Sequence, residues 1–322
     1  NITTSGGGAD GILVGTSSNS NTVNITGNFT ISGSASTAIS LDNAGINNTV
    51  NLTGNVISSG IGSHGIEVLS SDSNTVNWVG GMTSTNIGQH AILLNDSDSN
   101  TISMTGNINS TGLGSTGIWI ETGSESNTIN VTGDINVTGQ NASGLYLRAG
   151  SDSNNITING NIITSGTDGD SEPILLNDSD SNSFILSGAV HSLGGDQAIS
   201  INSTSQNNTF TFKRGASFIG GLENNGGTTN KLIFDMGKAS SYNIDTDETT
   251  WTLEDPYKPI VSGSAKSMGV ADIDNQAHIL YRRMDPINDV LSERQRLYTE
   301  GQRPTGYYMD SYYGHDKRDE DY

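Results

Sequence analysis

The chain has 322 residues, of which 32% are hydrophobic and 41 are Gly, so a thick globular core is excluded and the fold must hide few apolar residues per unit length. With no Cys there is neither a disulfide framework nor thiolate chemistry, and no apolar run approaches the ~20 residues a membrane-spanning helix needs. A formal net charge of −20 opposes nucleic acid and anionic membranes, which are bound through Lys and Arg.

Charge and composition are unevenly spread. Of the 14 basic residues only Arg148 precedes Lys213, whereas 16 of the 34 acids do. Nine of the ten Tyr and four of the five Pro follow residue 241, which marks a region of different character.

An internal repeat begins at Asn21. Asn-Thr-Val-Asn-Ile-Thr-Gly at 21–27 returns as Asn-Thr-Val-Asn-Leu-Thr-Gly at 48–54 and Asn-Thr-Val-Asn-Trp-Val-Gly at 74–80, then from Asn100, Asn127 and Asn154, with looser copies from Asn182, Asn208 and Asn230. The anchors are spaced by 27, 26, 26, 27, 27, 28, 26 and finally 22 residues. Ile-Leu-Leu-Asn-Asp-Ser-Asp-Ser-Asn occurs identically at 92–100 and 174–182, an offset of three repeats.

Each unit alternates with a period of two, the signature of strands. Val50 and Leu52, Ile102 and Met104, Ile129 and Val131, and Ile156 and Ile158 share one face of the first strand, and Thr, Asn and Thr take the other. A second short strand follows the Gly, as in Gly-Asn-Phe-Thr-Ile-Ser-Gly at 27–33. A third reads Gly-Ile-Glu-Val at 65–68, Gly-Ile-Trp-Ile at 117–120 and Gly-Leu-Tyr-Leu at 144–147. Three strands per unit leave only tight turns, too short for helical crossovers. The predicted fold is all-β, a right-handed parallel β-helix over 10–235 with one repeat per coil. Val50, Leu52, Ile102, Ile129, Val131, Ile156 and Ile158 are placed inside and Thr49, Thr101 and Thr128 outside. At about 4.8 Å per coil the stack is on the order of 45 Å long. The alignment of Asn1-Ile-Thr-Thr-Ser-Gly with residues 161–166 places the start in mid-coil, and a bare end would be an open sheet edge, so further coils are expected before residue 1.

Asp-Ser-Asp-Ser-Asn falls at the corner between the third strand and the next coil, where its last residue, the anchor Asn, can carry hydrogen bonds from coil to coil. Two residues before the anchor stand Asp72, Asp98, Glu125, Asp152 and Asp180. A shared cation would relieve their stacking, but the pattern lacks the Gly-rich calcium-binding nonapeptide, so they are read as solvated turn acids with no calcium requirement. Thr22, Thr49, Thr75, Thr101 and Thr128, with Thr26, Thr53, Thr105 and Thr132, form outward files that resemble ice-binding surfaces. Polar β-branched residues suit any outward strand position, and Val79, Asn155 and Asn159 interrupt the array. Lyase chemistry needs cations where Arg148 stands alone, and the acids recur at turns instead of converging in a groove. His64, His90 and His191 fall in coil loops with no consistent partner. No catalytic, cofactor-binding or metal-ligating residue is assigned.

Along the chain, 1–209 reads as regular coils and 210–262 as irregular coils forming a cap, where Phe210, Phe212, Phe218, Leu232, Phe234 and Trp251 enlarge the apolar content. Val270, Ile273, Ala277, Leu280 and Met284 then step by three and four, the pattern of an amphipathic helix, which with a second stretch beginning at Asp285-Pro286 gives a helical linker over 263–305. Gly-Tyr-Tyr-Met-Asp-Ser-Tyr-Tyr-Gly at 306–314 suits a strand with an aromatic girdle, so 306–322 reads as the start of an outer-membrane barrel strand.

This order of segments resembles a bacterial autotransporter of the type V secretion class: passenger β-helix, junction, linker helix and the opening of a translocator barrel, the remainder of which would follow Tyr322. The resemblance implies secretion through the outer membrane and display at the bacterial cell surface. There the segment would act as a non-catalytic stalk or adhesin-like passenger, with self-association or cell-surface and host contacts as partners and no cofactor. Two alternatives accompany it. One is a self-assembling surface-layer or filament protein; the other is a β-helix carbohydrate-active enzyme or ice-binding protein.

Overall fold

In a computed structural model, residues 1–237 are described apart from Ala44, Gly169 and Asp196, together with 242–245, 251–257, 260–262 and 266–269. Every regular element among them is a strand. Three parallel sheets run the length of the stack. The long-strand sheet has ten strands, among them Thr22–Thr26, Thr49–Thr53, Thr101–Thr105 and Lys231–Asp235. The short-strand sheet has nine, from Ile2–Thr4 to Ser217–Ile219, and the third sheet has nine, from Ile12–Val14 to Leu222–Asn224. Each strand pairs with its equivalent one repeat away, so Val50 lies opposite Val76 and Val76 opposite Ile102. The result is the expected all-β parallel solenoid.

Alternation along each strand decides what is inside. Val50, Leu52, Ile102, Ile129, Val131, Ile156 and Ile158 are all buried, whereas Thr49, Thr101 and Thr128 remain partly exposed on the outer side. Phe29, Ile31 and Met82 enter from the short-strand sheet, and Ile66, Val68, Ile118 and Leu147 from the third. Toward the last coils the core becomes aromatic. Phe184 stacks on Phe210 with ring centroids 4.5 Å apart, and Trp251 meets Phe210 edge-on and donates Nε1–H to the Leu222 carbonyl at 2.8 Å.

The pairing continues past residue 209. Thr209–Lys213, Ser217–Ile219, Leu222–Asn224 and Lys231–Asp235 each extend one of the three sheets, although the anchor spacing shortens to 22 residues. What keeps register is the anchor: the Asn208 N–H still donates to Asn230 Oδ1, at 2.8 Å. Beyond this, Tyr242–Asp245, Lys266–Gly269 and Ile260–Ser262 make a three-stranded antiparallel sheet. Of the helical stretch expected over 263–305 only Lys266–Gly269 falls among the described residues, and it is a strand. The barrel strand expected over 306–322 lies outside them.

Candidate binding face on the third sheet

The corner that repeats letter for letter is a hydrogen-bonding device. In Ser97-Asp98-Ser99-Asn100, Ser97 Oγ accepts the Ser71 N–H of the preceding coil at 3.1 Å and Asn100 Oδ1 accepts the Asn74 N–H at 2.9 Å. Asp98 works in the opposite direction, with its Oδ1 accepting the Glu125 N–H of the following coil at 2.7 Å. Ser99 adopts φ 59°, a left-handed conformation that turns the chain sharply before the anchor. The anchor amides are buried, and Asn100 and Asn127 also donate Nδ2–H to the Ser71 and Ser97 carbonyls, each at 2.8 Å.

The carboxylate file belongs to this device. Asp72 accepts the Asp98 N–H at 2.8 Å, Asp152 the Asp180 N–H at 2.6 Å and Asp180 the Gln206 N–H at 2.6 Å. Among the described residues no group of three acids, His or Cys is arranged to hold a metal ion. The Thr files align strand to strand as expected, and Asn24, Asn51 and Asn77 between them form an outer amide ladder with 2.8 Å Nδ2–H to Oδ1 bonds.

The third sheet carries a different surface, which the alternation of core residues does not single out. Glu67, Leu93, Trp119, Tyr146 and Leu175 point outward at one register position in successive coils. Beside them a second file runs through Asn95, Glu121, Arg148 and Asn177. The rings of Trp119 and Tyr146 meet edge to face with centroids 4.8 Å apart, and the Arg148 guanidinium lies 5.7 Å and 5.9 Å from their centroids. Arg148 Nε is 3.8 Å from Glu121 Oε2, whose other oxygen accepts Asn95 Nδ2–H at 2.9 Å. The only Arg or Lys before Lys213 therefore has a carboxylate partner beside it.

His64 and His90 flank this strip and do have partners. Their rings stack 5.2 Å apart, and His90 contacts Trp119 at 4.6 Å. Each Nδ1 accepts a backbone N–H from the next coil, His64 from His90 at 3.1 Å and His90 from Thr116 at 3.2 Å. The protonated nitrogen of each neutral ring is thus Nε2. Burial lowers the His64 pKa to about 4, and burial followed by the neighbouring His64 lowers that of His90 to about 3. Burial also lowers the pKa of His191, which lies on the short-strand sheet and contacts Ser217 Oγ at 3.0 Å.

At the first coils the same face holds Asp10, Thr37 and Glu67. Thr37 donates its N–H to Asp10 at 2.8 Å and its hydroxyl to Glu67 at 3.0 Å. Burial raises both carboxyl pKa values, with Asp42 adding to each and Asp10 to Glu67, while the Thr37 donors oppose the shift. These acids share Thr37 as a donor. The third residues of Gly-Ile-Glu-Val, Gly-Ile-Trp-Ile and Gly-Leu-Tyr-Leu are the sequence signal for the whole file. Comparison with protein-family models, with curated proteins and with solved structures returned no match to this chain.

Proposed function

We propose that the chain is a non-catalytic stalk, the right-handed β-helical passenger segment of an autotransporter-type protein displayed on a bacterial surface. The observation carrying this reading is the use made of the recurring polar groups. The anchor amides, the corner carboxylates of Asp72, Asp98, Asp152 and Asp180, and the imidazoles of His64 and His90 accept backbone N–H groups of adjacent coils. Side chains that in an enzyme would converge on substrate are here spent on holding coils in register, which suits a spacer between a membrane and a tip. The test is protease treatment of intact bacteria expressing the full-length protein. Cleavage within 1–255 on intact cells is the expected result. Protection until lysis would overturn the surface placement, and turnover of a polysaccharide by the purified chain would overturn the non-catalytic reading.

A second reading, lateral assembly into a surface layer or filament, is favoured by charge segregation. The outward positions of the long-strand sheet carry no charged residue from Thr22 to Thr211, while the acids cluster on the third sheet and its corners. An uncharged Thr and Asn face is where two such acidic rods meet with least repulsion. Ordered arrays of purified protein in electron micrographs would support this, and a strictly monomeric species at high concentration would exclude it.

A further inference from the structure

Three Trp residues occur in the chain, and their indole N–H groups are treated differently. Trp78 is inside the solenoid and donates to the Gly54 carbonyl at 2.8 Å; Trp251 donates to the Leu222 carbonyl at 2.8 Å. Trp119 faces outward, and its Nε1 is covered by neighbouring side chains with no acceptor. A covered donor without a partner is costly, and where the fold satisfies the other two indoles it calls for an explanation.

The surroundings supply one. Trp119 and Tyr146 sit in adjacent coils, bracketed in the same file by the apolar side chains of Leu93 and Leu175, each only 8% exposed. Along one flank run planar hydrogen-bonding groups: the Asn95 amide, the Glu121 carboxylate, the Arg148 guanidinium and the Asn177 amide, whose Nδ2 lies 3.5 Å from the Tyr146 hydroxyl. On the other side is His90, whose ring centroid lies 4.6 Å from that of Trp119. Aromatic faces with a few fixed polar groups beside them are how proteins recognise ligands that are apolar on one side and hydroxylated at the edge. A pyranose ring has that form, with C–H groups on its faces and hydroxyls around its rim.

Charge and spacing narrow the class. Arg148 is paired with Glu121, and Glu67 with its neighbours Asp10 and Asp42 adds negative charge on the same face, so an anionic glycan would be repelled. Strands in a sheet are about 4.8 Å apart, close to the length of one sugar unit in an extended chain. From Leu93 to Leu175 the file therefore spans about 14 Å, room for three or four units. We infer that the outer face of the third sheet around Trp119 and Tyr146 binds a neutral, linear oligosaccharide laid along the coil axis, the side chains that cover the Trp119 indole N–H shifting on binding so that a sugar hydroxyl accepts it. This site is independent of where the chain is displayed.

The test is isothermal titration of the purified full chain with cellohexaose, chitohexaose, maltohexaose and mannohexaose, with hexagalacturonate as the anionic counterpart. At least one neutral hexasaccharide is expected to bind with a Kd below about 1 mM, more tightly than its disaccharide and far more tightly than hexagalacturonate. Trp119→Thr is expected to weaken that binding at least ten-fold, and Tyr146→Thr and Asn95→Ala several-fold. Thr suits an outward strand position, so Tm should stay within a few degrees. If Trp119→Thr fails to fold, the Tyr146 and Asn95 variants carry the test. Absence of binding by every neutral probe at millimolar concentration, tighter binding of hexagalacturonate, or binding that all folded variants retain would overturn the site. None of these results bears on surface display, which the protease experiment tests separately.

Discussion

His64 Nδ1 accepts the backbone N–H of His90 at 3.1 Å, and the two imidazoles stack in parallel 5.2 Å apart. The bond exists only while Nδ1 of His64 is unprotonated, and His90 repeats it toward Thr116.

Stability should therefore depend on pH through this pair. The folded-state pKa values, about 4 and about 3, lie below the ordinary 6.5, so between those limits the unfolded chain binds more protons than the native one. Stability from the pair is complete above about 6.5 and falls as pH drops toward 4, by up to about 1.4 kcal/mol per unit of pKa difference for each group. The raised carboxyls of Asp10 and Glu67 act in the opposite sense. A double variant, His64→Asn with His90→Asn, keeps an acceptor near the Nδ1 position and cannot titrate. Its urea-unfolding free energy, followed from pH 7 to 4, should fall less steeply than that of the parent chain.

Asn127 is fully buried; its Oδ1 accepts the Asn100 N–H at 2.8 Å and its Nδ2 donates to the Ser97 carbonyl at 2.8 Å. Asn127→Ala strands both groups inside the corner and should cost roughly 2–4 kcal/mol, read as a lower urea midpoint. Asn24→Ala removes an amide that bonds Asn51 on the exposed face and should cost under about 1 kcal/mol.

Gly106 and Gly123 both have positive φ, at 147° and 68°, yet they should respond differently to Ala. A Cβ at Gly106 would stand 2.2 Å from the Gly80 carbonyl oxygen of the preceding coil, whereas one at Gly123 meets nothing within 4 Å. Gly123→Ala should cost about 1 kcal/mol from backbone strain alone. Gly106→Ala must push adjacent coils apart and should cost several times more, a contrast that thermal melts of both variants will show.

Asp72, Asp98, Asp152 and Asp180 already have donors in adjacent coils, so calcium should be dispensable for folding. Melting curves in chelator and in millimolar calcium should superimpose. Asp98→Asn, which retains the Oδ1 acceptor, should melt near the parent, and Asp98→Ala should melt lower. A calcium-dependent rise in Tm would show preferential binding to the native state and assign the file to a metal.

Much of the scaffold is legible in the sequence because its signals are identical from coil to coil. Val50, Leu52 and Ile102 alternate with Thr and Asn over five residues, and Asn48, Asn74 and Asn100 recur at fixed spacing, so core and corner both follow from period alone. The third sheet's outer face is obscured by its chemical variety. Asp10, His64, His90 and Thr116 perform one task, accepting the N–H of the next coil, with oxygen or nitrogen atoms of unlike side chains. Trp119 and Tyr146 are visible as strand residues, but their proximity to Arg148 depends on a register that local pattern does not supply. Continuation of the sheets beyond residue 209 is legible from the looser anchors Asn208 and Asn230, which still bond in register although the repeat shortens.

The corner hydrogen bonds run in both directions, since Asn100 accepts from the coil before it and Asp98 from the coil after it. A coil removed from the middle of the stack would leave each neighbour with both a vacant acceptor and a vacant donor at the same corner. Neighbour coupling is then large compared with what any single coil can gain by folding alone, the condition under which a one-dimensional array loses its independent segments. Mechanical pulling along the coil axis should therefore give few large rupture events in place of a staircase of single-coil steps. A tether built this way resists peeling from either end equally, because neither side of a coil interface holds all the donors.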